Sequence, residues 1–359
     1  MSKSNNKIAI VTYGLEVGGL TRAVFLLAKA LTLNGECVSI LSLKKAERQE
    51  NFVVSFGLGQ TILSKLTAYK AFKAHLKTNN YDCVIDMRFR LNPVAEYFWV
   101  KYLYHKQPVI YTIHSAHTNT YLTKYKLVAN WLVKQVPFVV VSKGIKKQLE
   151  TTFSTQSTVL YNPMDFSEIE NLQNEGETLA FQYILGVGRM DASNVKRFDW
   201  MIEDYLQSNL PINNIHLVLL GDGVMQEKWK RKAAQTEHKD KIHFLGNKEN
   251  PFSYFKQALF TILTSRNEGF PYVLTESLAC GTPVVAYDIP TGPSEIIQDG
   301  KNGLLISAGN RADFIAAINA LSSDNKMLMQ LQKNAKKSVA YLNFKTIANQ
   351  WKSLINSKH

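Results

Sequence analysis

Apolar runs of strand length alternate with segments of helical periodicity along the whole chain, and this alternation constrains the fold more than any other feature. In the first half, residues 8–13 predict a strand, and residues 20–34 predict a helix that ends at Gly35. Strands that alternate with helices are typical of parallel α/β sheets. We therefore predict the α/β class, with doubly wound, Rossmann-like domains.

The alternating pattern begins again near residue 183, after a polar stretch at 164–178 that holds few large apolar side chains and predicts a linker. A chain of 359 residues is long enough for two domains, each with its own core. We predict a first domain over 1–168, a second over 175–340, and a C-terminal helix at 342–359 that packs back on the first. Two doubly wound domains in tandem face a cleft, which is the normal place for a ligand.

The net charge of +13 is carried by the first half of the chain. Residues 1–160 hold 21 Lys and Arg against 8 Asp and Glu, whereas the rest of the chain is balanced at 21 of each. Such an asymmetry indicates an anionic partner, either nucleic acid or anionic lipid headgroups. Basic segments with aromatic residues at 65–77, 97–104 and 120–134 favour the surface of an anionic membrane.

Cysteine usage and hydropathy bear on the compartment. Three cysteines without paired spacing predict neither a disulfide framework nor a zinc site, which fits a reducing cytoplasm. No apolar run approaches the length of a membrane span, and the first residues lack the apolar core of an export signal. We expect a cytoplasmic protein that is peripheral at the inner face of the cell membrane.

Two glutamates, Glu268 and Glu276, lie eight residues apart around the start of a helix that residues 270–272 are predicted to open. The free N–H groups and the dipole of a helix N-terminus bind phosphate. A carboxylate at that place would repel phosphate, so we expect the two glutamates to bind hydroxyl groups instead. Phosphates and hydroxyls bound together at the end of a strand indicate a sugar nucleotide.

Several shorter motifs accompany the glutamate pair in a fixed order. They are Gly18-Gly19, Ile113-His114, Val141-Ser142, Asn162-Pro163, Gly188-Arg189, Gly221-Asp222-Gly223 and Leu245-Gly246. With these motifs the chain resembles glycosyltransferase family 4, whose members are retaining GT-B enzymes that build bacterial polysaccharides and glycolipids. The resemblance implies a GT-B fold. It also implies transfer of a hexose or N-acetylhexosamine from a nucleotide sugar, with UDP the expected nucleotide, to a saccharide or lipid-linked acceptor in cell-surface polysaccharide synthesis.

The resemblance also implies roles for single residues. Glu268 would hold the donor sugar, Glu276 the ribose hydroxyls, and His114 would touch the donor sugar or the acceptor near the reacting centre. The implied catalytic residues are His114, Arg189, Lys196 and Glu268. The implied donor-binding residues are Gly18, Gly19, Gly188, Arg189, Lys196, Glu268, Gly269, Phe270, Pro271, Tyr272 and Glu276. Candidate contacts to the acceptor are Arg88, Arg90 and His117.

Negative charge grows on the leaving diphosphate during transfer, so the site needs cations or N–H donors there. The sequence holds no Asp-x-Asp motif that would carry a divalent metal. We therefore expect a metal-free site without a cofactor. By resemblance, Arg189 and Lys196 supply the positive charge. Residues 191–194 lengthen the loop between them, so Arg197 stays open as an alternative to Lys196.

Two other functions stay open. A sugar-nucleotide epimerase would share the fold type and the glutamate pair, and it would convert the donor without any acceptor. A basic nucleic-acid-binding protein would explain the charged half but not the glutamates, so we expect no nucleic acid as partner. A nicotinamide enzyme is disfavoured, because Asp191 follows Gly186 and Gly188 where the dinucleotide fingerprint requires a third glycine.

Overall fold

The computed structural model describes residues 5–16, 18–46, 50–105, 107–116 and 120–357. The chain divides into two compact units. The first comprises residues 1–164 and 342–359, and the second comprises residues 165–341. Each unit is a parallel sheet flanked by helices, which confirms the predicted α/β class. Among the described residues, no helix is both long and apolar enough to cross a bilayer.

The first unit is built on a seven-stranded parallel sheet. Its strands are β1 Lys7–Thr12, β2 Cys37–Ser42, β3 Val53–Ser55, β4 Cys83–Asp86, β5 Val109–Ile113, β6 Phe138–Val140 and β7 Ser157–Val159. They lie side by side in the order β3-β2-β1-β4-β5-β6-β7. The direction of the order reverses between β1 and β4. In open α/β sheets, ligands bind beyond the carboxyl ends of the strands at such a point.

Five helices follow the strands of this unit in turn: α1 Gly19–Leu33, α2 Ile62–Asn79, α3 Pro93–Phe98, α4 Lys126–Gln135 and α5 Lys143–Phe153. Polar caps explain where two of them begin. The Asn92 side chain accepts from the backbone of α3, which carries Pro93 in its first turn, and Ser142 accepts from Ile145 N at the start of α5. A single turn of π-helix at Trp99–Leu103 continues α3.

The second unit is built on a six-stranded parallel sheet in the order β10-β9-β8-β11-β12-β13. Its strands are β8 Tyr183–Val187, β9 His216–Leu220, β10 Ile242–Gly246, β11 Thr261–Leu263, β12 Val284–Asp288 and β13 Gly303–Ser307. Its helices are α6 Phe166–Leu172, α7 Phe198–Gln207, α8 Gln226–Ala234, α9 Phe252–Gln257, α10 Tyr272–Ala279, α11 Pro293–Ile296, α12 Arg311–Ser323 and α13 Asn325–Ser338. The order reverses between β8 and β11, so the loops after these two strands are the expected ligand-binding loops.

Helix α6 lies in the stretch for which the sequence predicts a linker. Asp165 caps it by accepting from Glu168 N at 3.0 Å, and Ile169 is its buried residue. The helix packs against α9 and α10, so the first unit ends at Met164 rather than at residue 168. The sequence pattern missed this helix because seven residues with one buried side chain show no periodicity.

The C-terminal helix α14, Phe344–Asn356, belongs to the first unit. Asn343 caps it by accepting from Thr346 N at 2.9 Å. It packs against α1, and the buried side chains of Ile347, Trp351 and Ile355 join the core that covers β1 and β4. The helix therefore closes the apolar core of a unit whose other elements lie almost 200 residues earlier in the chain.

Replacing Trp351 by alanine tests this closure. We expect Trp351→Ala to lower the free energy of unfolding by about 3–5 kcal/mol, because a buried aromatic side chain is removed and a cavity is left. Urea unfolding followed by circular dichroism measures the change. Leu33→Ala is the control, since Leu33 lies in the same unit but is 70% exposed, and we expect a change within about 0.5 kcal/mol. Equal effects of the two substitutions would contradict the packing of α14.

Candidate active site

Lys196 and Glu268 are in contact at the carboxyl end of the second sheet. Lys196 lies in the loop between β8 and α7, and Glu268 lies in the loop between β11 and α10. The Nζ atom of Lys196 is 2.6 Å from Oε1 of Glu268. The two side chains are only 22% and 11% exposed, so the contact is a partly desolvated, charge-assisted hydrogen bond.

Hydrogen bonds from the neighbouring loop hold the backbone at Lys196. The hydroxyl of Thr264 donates to the carbonyl oxygens of Lys196 at 2.9 Å and of Arg197 at 3.0 Å. Arg266 N donates to the carbonyl of Val195 at 2.8 Å. These bonds fix the loop after β8 to the loop after β11, so the position of Lys196 depends on both.

Gly188 provides the space in which the Lys196 side chain lies. A Cβ atom at position 188 would stand 2.9 Å from Cγ and 3.2 Å from Cδ of Lys196. Real Cβ atoms essentially never approach so closely, so any other residue at 188 would displace the lysine. The Gly188-Arg189 motif therefore has a steric reason in this structure.

A second turn holds the loop that carries Glu268. The hydroxyl of Thr291 donates a short hydrogen bond to the carbonyl oxygen of Glu268. Gly292 follows with φ +98°, and a Cβ there would stand 2.7 Å from Cδ of Pro271. The close approach of this turn to the Glu268 loop requires glycine at 292. The carboxylate is thus carried on a backbone that is fixed from the side of β12.

The two arginines of the Lys196 loop have different surroundings. Arg189 donates from Nε to Asp191 at 2.9 Å, and its side chain is 71% exposed. Arg197 begins α7 with a left-handed backbone, and its guanidinium lies 3.7 Å from the ring centroid of Trp200. Of the two alternatives that the sequence left open, Lys196 is the one in contact with Glu268.

Helix α10 carries Glu276 and begins directly after the Gly269-Phe270-Pro271 loop. The helix is buried along most of its length, and Glu276 itself is buried. Burial raises the pKa of the nearby Cys280 thiol to about 12, and the charge of Glu276 adds to the shift. The Cys280 thiol therefore stays protonated at neutral pH and is no nucleophile.

In the first unit, His114 directly follows β5, and its Nε2 atom is 3.0 Å from the hydroxyl oxygen of Thr112. Burial is the larger cause that lowers the pKa of His114 to about 3, and the positive charge of Arg90 is the smaller one, so the imidazole is neutral at pH 7.

Three other predicted site positions lie at the start of α1 or outside the described residues. Gly18 precedes α1 and Gly19 is its first residue, and a Cβ atom at either position would meet nothing within 4 Å. His117 lies outside the described residues.

Arg88 and Arg90, the candidate contacts to an acceptor phosphate, are both buried and have internal partners, which the sequence did not indicate. Arg88 pairs with Asp86 at 2.8 Å and with Glu96 at 3.4 Å. Arg90 donates to the carbonyl oxygens of Asp86 and Thr112, each at 2.9 Å. Their position after a strand indicated two available cations, whereas the carboxylates that pair with Arg88 and the carbonyl groups that accept from Arg90 became evident only in the fold.

Sequence reasoning also missed Thr264 and Thr291, the two side chains that hold the Lys196 and Glu268 loops. Each threonine lies just after a strand or in a turn, where hydroxyl side chains commonly bond to backbone. That signal marks loop-forming residues in general. It does not identify the carbonyl groups that these hydroxyls contact, which lie 68 residues from Thr264 and 23 residues from Thr291.

Two family models match the chain in succession. Residues 17–168 match glycosyltransferase family 4, and residues 168–338 match glycosyl transferases group 1. The chain belongs to the GT-B glycosyltransferases of the family 4 type, as its ordered motifs predicted.

One similar protein is N-acetylgalactosamine-N,N'-diacetylbacillosaminyl-diphospho-undecaprenol 4-alpha-N-acetylgalactosaminyltransferase of Campylobacter jejuni. It is 30% identical over 198 residues, which cover 54% of this chain and 53% of the relative, so the match spans about half the length of each. Another protein of that organism is GalNAc-alpha-(1->4)-GalNAc-alpha-(1->3)-diNAcBac-PP-undecaprenol alpha-1,4-N-acetyl-D-galactosaminyltransferase. It is 26% identical over 97% of this chain and 98% of the relative.

Among solved structures, HepE from Anabaena in complex with UDP and glucose superposes with a TM-score of 0.79. The match covers 98% of this chain and 100% of that chain at 17% sequence identity. At this identity the likeness concerns the fold, and it confirms the predicted two-domain GT-B fold.

Gly188→Ala tests the steric role of the glycine. We expect the added methyl group to displace Lys196 and to weaken UDP binding about tenfold, which corresponds to roughly 1.4 kcal/mol or one charge-assisted contact. Calorimetric titration with UDP measures the affinity. The double variant Gly188→Ala/Lys196→Ala should bind UDP no more weakly than Lys196→Ala alone, because both changes remove the same contact. Fully additive losses would show that Gly188 acts in another way.

The low pKa of His114 predicts a pH dependence of stability. The unfolded chain protonates this histidine near pH 6.5, whereas the folded chain does so only near pH 3. Between these values the unfolded state binds more protons, so the free energy of unfolding falls as the pH is lowered. Urea unfolding at several pH values should show a shallower fall for His114→Gln. His105→Gln, at an exposed position of the same unit, should keep the parent slope; identical slopes for all three proteins would contradict the shift.

Proposed function

We propose that this chain transfers a hexose or N-acetylhexosamine from a UDP-sugar to a saccharide or lipid-linked acceptor, with retention of configuration and without a metal ion. The contact between Lys196 and Glu268 carries the proposal. It brings a cation for the diphosphate and a carboxylate for sugar hydroxyls to one place, at the carboxyl end of the sheet and just before α10. A nucleotide sugar is the ligand class that needs both groups side by side.

The leaving diphosphate would be stabilised from several directions. Lys196 supplies a charge at 22% exposure, the exposed Arg189 can turn from Asp191 to the ligand, and the first N–H groups of α10 add the dipole of a helix N-terminus. Each charge-assisted hydrogen bond is worth about 1.5–3 kcal/mol. Three or four such bonds are enough to stabilise the leaving group without a metal.

Transfer with retention then needs no enzymatic nucleophile. The acceptor hydroxyl oxygen forms its bond to the anomeric carbon on the face from which the phosphate oxygen leaves. The hydroxyl proton passes to that phosphate oxygen as the carbon–oxygen bond breaks. The protonated state of Cys280 agrees with this route, since the thiol is not an available nucleophile.

The donor and acceptor classes are supported by the names of similar proteins. Two relatives are N-acetylgalactosaminyltransferases that use undecaprenol-linked acceptors, and the HepE structure holds UDP and glucose. We extend these chemistries to this chain as a UDP-sugar donor and a lipid-linked saccharide acceptor. Such an acceptor would place the working enzyme in the cytoplasm, peripheral at the inner face of the membrane.

A transfer assay tests the proposal. The chain is incubated in excess EDTA with UDP-, GDP- and ADP-linked hexoses and N-acetylhexosamines and with polyprenyl-diphosphate-linked saccharides, and the products are followed by mass spectrometry and NMR. We expect one UDP-sugar to give an acceptor heavier by one sugar with the donor's anomeric configuration. A mass-neutral change of the donor without acceptor would indicate an epimerase instead. Transfer only after addition of a divalent cation would contradict the metal-free site.

Glu276→Gln tests the proposed ribose contact. We expect the substitution to weaken UDP binding about tenfold or more, because one carboxylate hydrogen bond is worth about 1.5–3 kcal/mol. The affinity of the variant for uridine, which has the ribose but no phosphate, should fall by the same factor. Glu249→Gln, at an exposed position of the same unit, is the control and should bind like the parent. An unchanged affinity of Glu276→Gln for both ligands would remove Glu276 from the ribose site.

A further inference from the structure

Exposed apolar side chains are concentrated in one stretch of the first unit. Among the described residues, eleven of the eighteen exposed large apolar side chains lie between positions 62 and 127. Ile62, Leu63, Val94 and Leu127 are each at least 75% exposed. Single exposed apolar residues are ordinary, but a concentration of them marks an interaction surface.

Aromatic contacts join the three helices that carry these side chains, and we define one face by residues 62–66 of α2, 94–98 of α3 and 125–127 before and within α4. Tyr69 of α2 contacts Phe98 at 6.1 Å between ring centroids, and Tyr97 contacts Trp131 of α4 at 5.4 Å. Leu66 and Leu127 lie one helical turn before Tyr69 and Trp131, respectively, so they continue the same helix sides. We call this surface the apolar–basic face.

The charges on this face have one sign. Exposed lysines surround the apolar side chains, and they are Lys65, Lys70, Lys101, Lys124 and Lys126. Residues 51–134 contain only three acidic residues, Asp82, Asp86 and Glu96. Asp86 and Glu96 are buried on Arg88, and Asp82 accepts from the backbone of Lys7 at the amino end of the sheet. No described carboxylate of this stretch is therefore exposed on the face.

Two lysines lie over aromatic rings at the border of the face. The Nζ atom of Lys73 is 3.2 Å from the ring centroid of Tyr102, and that of Lys101 is 5.8 Å from Trp131. Lysines whose aliphatic stems cover apolar surface while their amino groups meet phosphate are typical of membrane interfaces. Protein interfaces are instead depleted of lysine, and binding to nucleic acid depends mainly on phosphate contacts, which aliphatic side chains do not make.

We infer that the apolar–basic face inserts into an anionic bilayer, with Ile62, Leu63, Val94 and Leu127 at the acyl boundary and the lysines at the lipid phosphates. The inference rests on the proposed function, in which the acceptor is linked to a lipid. Helices α3 and α4 follow β4 and β5, so they lie at the carboxyl edge of the sheet, where His114 also lies. Exposed Phe89 contacts Tyr121, which contacts His114. A lipid-linked acceptor held in that bilayer would meet this edge of the unit.

Vesicle flotation tests insertion. The parent chain and the fourfold variant Ile62→Ser/Leu63→Ser/Val94→Ser/Leu127→Ser are mixed with phosphatidylcholine vesicles, with or without phosphatidylglycerol. We expect the parent to bind vesicles that contain phosphatidylglycerol, and the variant to bind them about tenfold or more weakly, because four exposed apolar contacts are lost. The control Ile212→Ser/Val224→Ser removes two side chains of the second unit that are 76% and 80% exposed, and it should bind like the parent.

Parent-like binding of the fourfold variant at low salt would overturn insertion and leave a purely electrostatic contact. Binding of the parent to RNA in preference to vesicles would also overturn it. A second assay separates this inference from the proposed function. It compares sugar transfer to the vesicle-bound, lipid-linked saccharide with transfer to the same saccharide after release from its lipid, which we call the released glycan. We expect the fourfold variant to keep parent activity on the released glycan and to lose it on the vesicle-bound acceptor. Vesicle binding without any transfer would preserve the face and refute the transferase.

Discussion

The ion pair between Lys196 and Glu268 is the interaction on which the site of the second unit depends. Two partly desolvated charges of opposite sign are costly to separate unless each finds a new partner. In the proposed function a nucleotide sugar would supply both partners, because its diphosphate would accept from the lysine and its sugar hydroxyls would donate to the carboxylate. Binding of the donor would then exchange one internal bond for several bonds to the ligand, while the threonine-anchored loops keep the exchanged groups in place.

The first unit uses buried charge differently. Arg88 pairs with both Asp86 and Glu96 beneath Trp99, whose ring centroid lies 3.5 Å from the guanidinium of Arg88. Glu96 lies within α3 and would otherwise place a carboxylate on a surface of lysines and apolar side chains. Its burial raises the pKa of this carboxyl group, and the neighbouring Arg88 opposes that shift. The internal network thus keeps these two carboxylates away from the lysines of α2 and α4.

The periodicity of the sequence predicted the α/β class and the two doubly wound domains, because strands and helices of parallel α/β units differ clearly in apolar pattern. It missed α6, whose one buried residue shows no period, and it did not show that Arg88 and Arg90 are buried. Burial of a cation depends on tertiary partners that spacing does not show. The same limit applies to Lys196 and Glu268, which are 72 residues apart and meet only because β8 and β11 are neighbours.

Calorimetric titration of UDP in excess EDTA, with the parent, Lys196→Gln and Glu268→Gln, tests the exchange at this ion pair most directly. UDP carries the diphosphate but no sugar. We therefore expect Lys196→Gln to weaken binding about tenfold or more, whereas Glu268→Gln should bind UDP as tightly as the parent or more tightly, because the lysine is released. Equal weakening by both substitutions would show that the pair only holds the loops together. Absence of UDP binding to the parent without a divalent cation would contradict a metal-free diphosphate site.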